Sequence, residues 1–342
     1  MFERIAAALF GSGRQAVDQK ADRELIDELI EGVVDAVEPK VRMESRYRQK
    51  LSPCIARSIA YLRSIGREGL EPVLLTRSAW NDDARVNAFY ATADDVPKFL
   101  GRTKELRAFF ENPANAEHTE AFALLAMKKE ERQVFGAELH GDAVRHDVAQ
   151  TTVSFSGHRL LAPAATLAAA RLEIGKRILL RLAQVALSRI VELDMEATEL
   201  QQHKAYLGAR LRVLALARDG MAGIVEDPAT IASEIQAVEK KLKGAVDQYI
   251  DTKGSIATLD GYLKRIDEVF SHPEQHLALS HTPLRVSRMG VKVEDDSVPA
   301  NALDLVELAV GEKLKVAIAI VRCPRSELPP KEDLVAQAER YL

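Results

Sequence analysis

Between residues 172 and 214 an apolar side chain returns at every seventh position: Leu172, Leu179, Ala186, Leu193, Leu200, Leu207 and Leu214. A repeat held that long restricts the segment to a helix with a single apolar seam. Pro163, which suits the first turn of a helix, opens a stretch to Asp219 containing no further proline and only Gly175 and Gly208. A second run starts behind Asp227, a suitable N-cap, and Pro228. Its apolar positions are Ile235, Val238, Leu242, Ala245, Tyr249, Thr252, Ile256, Leu259, Leu263, Ile266 and Phe270. Their steps alternate three and four, with Ala245 and Thr252 the weak places.

About eight residues join the runs, a length suited to antiparallel neighbours in one chain. The expectation is a coiled-coil hairpin over 163–271 that turns near Gly223, with Leu207 close to Glu239 and Leu193 close to Lys253. At 1.5 Å per residue the shorter helix spans roughly 60 Å, so such an arm projects or lies along another surface. Its turn is apolar where a surface turn is ordinarily polar. Met221, Ile224 and Val225 are therefore expected to form a partner contact.

The flanks of the arm read as strands. Gln133–Leu139 and Val148–Phe155 alternate around Gly141-Asp142, which defines a hairpin within 133–162. Leu284–Val293, Leu303–Val310 and Leu314–Val321 form a meander within 272–325, the last two joined by a Gly311-Glu312 turn of type II′. One sheet interrupted by the arm explains both groups. Upstream, 1–70 reads as helical: Phe2–Phe10, then Arg14–Glu38 stopped by Pro39, then Lys40–Gly66 interrupted at Pro53. Residues 71–132 are mixed, with strands at Pro72–Leu75 and Val86–Ala91. Helices there are expected at Val96–Leu100, Thr103–Phe110 and Ala116–Arg132. Residues 326–342 give a linker and a short helix. The fold class is α+β, mainly α with a smaller antiparallel sheet.

A formal charge of −4 over 342 residues gives no global basis for nucleic-acid binding. The local exception is Lys40–Arg67, where Arg42, Arg46, Arg48, Lys50, Arg57 and Arg63 accompany a single acid, Glu44. These six could meet an anionic partner. Asp18, Asp22, Glu24, Asp27, Glu28, Glu31 and Asp35, on the preceding helix, could balance them instead. Cys54 and Cys323 match no metal or redox spacing, and with no secretory signal they read as free thiols of a cytoplasmic protein. Phe2, Ile5, Leu9 and Phe10 share one side of the first helix. With the basic stretch they offer a peripheral anchor on the inner face of a membrane.

His140, Asp142, His146 and Asp147 are the densest ligand-type cluster, and His158 could lie across the hairpin from them. His146-Asp147 resembles the His-Asp doublet of metal-dependent phosphohydrolases, which implies a hydrolase, although there the doublet sits on helices. His272, Glu274, His276 and His281 form a second grouping that helix-end capping also explains. There is no G-x-S-x-G elbow, Walker loop or dinucleotide fingerprint, so no catalytic residue and no cofactor is assigned. The sequence favours a non-enzymatic cytoplasmic scaffold or adaptor whose arm binds a protein, a second copy being one such partner. A peripheral membrane protein and a metal-dependent hydrolase are the alternatives.

Overall fold

A computed structural model of the chain describes residues 19–66, 70–140, 143–219, 228–293, 300–312 and 314–330. Two compact units divide them. One comprises the chain up to Ile26, Ala56–Arg181 and everything from Pro273 onward. The other comprises Asp27–Ile55 and Leu182–His272.

The first unit is built on one six-stranded sheet in the order β3-β2-β6-β5-β4. Its strands are β1 (Val73–Leu74), β2 (Glu120–His140), β3 (Ala143–Ala164), β4 (Leu277–Val286), β5 (Asn301–Val310) and β6 (Leu314–Pro324). All neighbours are antiparallel except β1, which lies parallel beside β6 at Val321 and Arg322. The segments before and after the helical arm therefore share a sheet, as the sequence suggests. One face carries Ala121, Ala123, Leu125 and Met127 of β2 with Ala317, Ala319, Val321 and Cys323 of β6. The alanines leave room for larger side chains from four short helices, α3 (Ala79–Asp82), α4 (Ala84–Phe89), α5 (Asp95–Arg102) and α6 (Lys104–Glu111). Val86, Phe89, Tyr90, Val96, Leu100, Leu106 and Phe110 supply them. Beyond Met127, among the described residues, β2 has only β3 as a strand neighbour, and the two continue as a ribbon. The turn after β4 ties onto the other sheet edge, where Lys292 N–H donates to Thr151 O (2.7 Å) and Val153 N–H donates to Gly290 O (2.7 Å). A Cβ on Gly290 would stand 2.8 Å from Val153 O, and its φ is +77°, so glycine is required there.

Helix α1 (Gln19–Val37) buries Leu25, Leu29, Ile30, Val33, Val34 and Val37. After a 3₁₀ turn at Pro39–Met43, α2 (Tyr47–Ile65) buries Leu51, Cys54, Ile55, Ser58, Ile59 and Leu62. Pro53 does not interrupt α2, contrary to expectation. It forfeits a backbone bond at roughly 3 kcal/mol, offset by the buried residues on either side.

Helix α7 (Leu167–Asp219) runs 53 residues, α8 covers Pro228–Ile256 and α9 covers Leu259–Ser271. The hairpin is antiparallel and close to the expected register. Leu207 packs with Val238, one residue from Glu239, and Lys253 Nζ bonds Asp194, one residue from Leu193, at 2.7 Å. Arg210 pairs with Glu234, and the Lys204 amine sits 4.5 Å above the Tyr249 ring.

Several expected boundaries move. Pro163 belongs to the end of β3, so the helix begins at Leu167. The returning helix breaks between Ile256 and Leu259, where Thr258 caps α9 by accepting from Gly261 N–H (3.1 Å). Ala116–Arg132 is mostly β2 rather than a helix, because β3 and β6 supply backbone partners along both of its edges. Val86–Ala91 is not a strand. Asp83 caps α4 by accepting from Arg85 N–H (2.8 Å), and Val86 and Phe89 fall on one buried face. β4 spans 277–286 rather than 284–293, paired along its whole length with β5. Val310 pairs with Leu314, so three residues, not two, separate β5 from β6. Phe2–Phe10 and Lys331–Leu342 lie outside the described residues.

Leu207 is 3% exposed within the arm seam. Leu207→Asp should cost about 3 kcal/mol by burying an unpaired carboxylate. It should lower the melting temperature followed by helical circular dichroism, whereas an unchanged temperature would contradict a buried seam.

Candidate functional site

The basic stretch is largely balanced by neighbouring acids. Arg42 pairs with Glu31 (3.0 Å) and Asp35 (2.7 Å), Arg48 with Glu31 (2.9 Å), and Arg63 with Asp22 (2.5 Å). Lys50 reaches Glu44 (3.2 Å) and Asp260 of α9 (2.8 Å), while Arg57 also has a partner. Arg46 is exposed, with φ +61°. Tyr47 Oη donates to Glu31 (2.7 Å). That bond is the largest cause holding Glu31 below the ordinary carboxylate value of 4.5; desolvation opposes it, while Arg42 and Arg48 reinforce it.

The side chains of His140, Asp142 and His146 lie outside the described residues, and Asp147 is exposed with φ +59°. His158 stands twelve residues beyond His146 in the same strand and lines the cleft described below. His272 Nδ1 bonds the Glu268 carbonyl (3.2 Å), and His281 pairs with Asp304 (2.7 Å). Among the described residues, no group of three or more His, Cys, Asp and Glu could hold a metal ion. Met221, Ile224 and Val225 of the arm turn, and Phe2, Ile5, Leu9 and Phe10, also lie outside the described residues. Among the described residues no helix is long and apolar enough to cross a membrane.

Two other features stand out. The first is a second apolar stripe on α7, on the side opposite the seam. Val191, Met195, Tyr206, Val213 and Leu216 are 49–75% exposed, and Thr198, Gln202 and Ala209 fill the positions between them. The line 191-195-198-202-206-209-213-216 keeps the steps of a helix-packing surface. Flanking acids come first (Glu192, Asp194, Glu199) and bases later (Arg210, Arg212), Asp194 and Arg210 also pairing with Lys253 and Glu234 of α8.

The second is an open cleft of about 720 Å³ between β3 and α4–α6. His158 lies on its floor, stacked on Tyr90 with ring centroids 4.8 Å apart at 21°, and Phe99 tilts against both. Phe89 meets Phe155 edge to face at 5.2 Å. His158 Nε2 lies 2.8 Å from the Phe89 carbonyl, which can only accept, so this nitrogen carries the proton. Burial lowers the His158 pKa and raises that of the Tyr90 phenol, leaving the floor uncharged at neutral pH. The walls are basic: Lys98, Arg102 and Lys104 come from the helices and Arg159 from β3. Of the two lining acids, Asp95 is 3.8 Å from Lys98. Glu105 is engaged by Arg177 (3.2 Å) and by Ala162 N–H (3.1 Å).

Cys54 and Cys323 are free and buried. Desolvation pushes both thiols up to about 12, with Asp267 adding to the effect at Cys54. Neither forms the thiolate that nucleophilic or metal-binding chemistry requires.

Both thiols should therefore resist a thiol reagent at pH 8 until denaturant is added; rapid native labelling would contradict their burial. A second outcome concerns acid. A carboxylate with a depressed folded pKa stabilises the fold above its unfolded pKa and loses that contribution as pH falls through the folded value. Acidification below about pH 4.5 should thus destabilise the native protein more than Glu31→Gln, measured as the fall in melting temperature. Equal falls would show that the Tyr47–Glu31–Arg network is not coupled to folding.

No family model, curated protein or solved structure matches this chain.

Proposed function

We propose that this is a non-enzymatic interaction protein of a reducing, cytoplasm-like compartment whose coiled-coil arm associates with another helix, and that its partner is a second copy of the same chain. The observation that carries the reading is the exposed stripe from Val191 to Leu216, roughly 38 Å long. A single α-helix needs one apolar seam to hold a hairpin, and a second stripe on the opposite side suits another helix.

Charge order selects the partner and its direction. Antiparallel pairing of two copies along the stripe sets Val191 against Leu216 and Met195 against Val213. Glu199 then lies toward Arg210 and Asp194 toward Arg212, Asp194 and Arg210 also pairing with Lys253 and Glu234 within the hairpin. Parallel pairing would set Glu192 and Glu199 against their own duplicates. Like charges directly opposed destabilise a helix pair, and opposed unlike charges fix its orientation. The antiparallel arrangement is also a closed two-fold contact, which ends at a dimer rather than a filament.

Light scattering after size exclusion should give twice the 37.7 kDa chain mass at micromolar concentration. Met195→Glu combined with Val213→Glu should give the monomer with unchanged helicity, because both side chains are exposed. Glu199→Arg should weaken the dimer, and adding Arg210→Glu should restore it. A native chain that is monomeric at about 100 µM would overturn the reading.

A further inference from the structure

The cleft between β3 and α4–α6 plays no part in the proposed association, yet it has the composition of a small-molecule site. Its volume of about 720 Å³ lies within the span of such sites, roughly 300–1,000 Å³. The floor presents aromatic faces. Tyr90 is 4% exposed beneath the His158 ring, while His158, Phe99 and Phe155 are only partly buried. A flat apolar body can lie against these rings. The walls add Lys98, Arg102, Lys104 and Arg159, drawn from elements far apart in sequence and brought to one opening.

Their charge is not cancelled locally. Of the two lining carboxylates, Asp95 stands 3.8 Å from Lys98. Glu105 is turned to Arg177 and to the Ala162 backbone. Among the described residues, Arg102, Lys104 and Arg159 pair with no acid. In a chain of net charge −4 this is a concentrated positive field. Two guanidinium forks and two ammonium groups suit a dianion better than a single carboxylate, since phosphate oxygens accept several charged donors at once.

We infer that this cleft binds a small aromatic phosphate, its ring against His158 and Phe99 and its phosphate between Arg102 and Arg159. The neutral floor favours ring burial, while the cations supply most of the attraction for the phosphate. Binding should accordingly weaken with added salt.

The test titrates the full chain with phenyl phosphate, inorganic phosphate, benzoate and benzyl alcohol by calorimetry, with amide chemical shifts locating the site. Phenyl phosphate should bind saturably, at least about tenfold tighter than the other three, and shift amides of residues 89–105 and 155–161. The double variant Arg102→Gln/Arg159→Gln changes only exposed side chains and should weaken phenyl phosphate at least about tenfold while leaving the melting temperature unchanged. Phe99→Leu keeps an apolar side chain but removes the flat ring, and should weaken phenyl phosphate while leaving any inorganic phosphate binding unchanged. The inference is overturned if phenyl phosphate does not saturate by about 10 mM, a weak limit for a cleft of this size. It is likewise overturned if inorganic phosphate binds as tightly, or if the double variant retains native affinity.

Discussion

The pairing of β2 with β6 is the contact on which the first unit depends. Eight consecutive residue pairs, from Glu120↔Pro324 to Met127↔Ala317, join segments far apart in the chain. β2 brings β3 to one side of this core pair, and β6 brings β5, β4 and β1 to the other. The small side chains Ala121, Ala123, Ala317 and Ala319 admit the aromatic and aliphatic residues of α4–α6. Those helices form one wall of the cleft and β3 the other. A closure across so long an intervening segment is entropically costly if that segment is loose. Here the segment contains α7 and α8, held by their own seam.

What the sequence revealed follows from how far each signal extends. The leucine heptads persist over dozens of residues, so the hairpin and its register could be read almost to the residue. The break before α9 was hidden because Leu259 and Leu263 preserve the step pattern. Only the Thr258 cap and Gly261 mark it, and a Cβ on Gly261 would lie 2.4 Å from Ser255 O. β2 is concealed in the sequence because Glu120–Arg132 is rich in Ala, Leu, Lys and Glu, all good helix formers. Two bonded neighbours override that local preference, and neither is visible within the window.

The candidate surfaces divide in the same way. The basic residues around Arg42–Arg63 lie beside an acidic helix in sequence, and the expected balancing by Asp22, Glu31 and Asp35 could be anticipated. The cleft could not: His158 stacks on Tyr90, 68 positions earlier, and Arg159 joins Arg102 only through the placement of β3 against α5 and α6. His158 drew notice as a metal ligand because histidine spacing is visible in sequence and ring stacking is not. The second stripe of α7 was readable in principle at Val191, Met195, Tyr206, Val213 and Leu216. It was masked by the stronger leucine period of the first seam.

The central claim is that two arms lie antiparallel along this stripe, and inter-copy distances between single spin labels test it most directly. Cys54 and Cys323 are buried, so labels introduced at Ser188→Cys or Gln202→Cys, both exposed positions, can be read without interference. Antiparallel pairing requires roughly 45–50 Å between backbones at position 188 and roughly 10–15 Å at position 202. Short distances at both positions would mean a parallel pair, and no dipolar coupling at either would mean that the arms do not pair; each result would contradict the account.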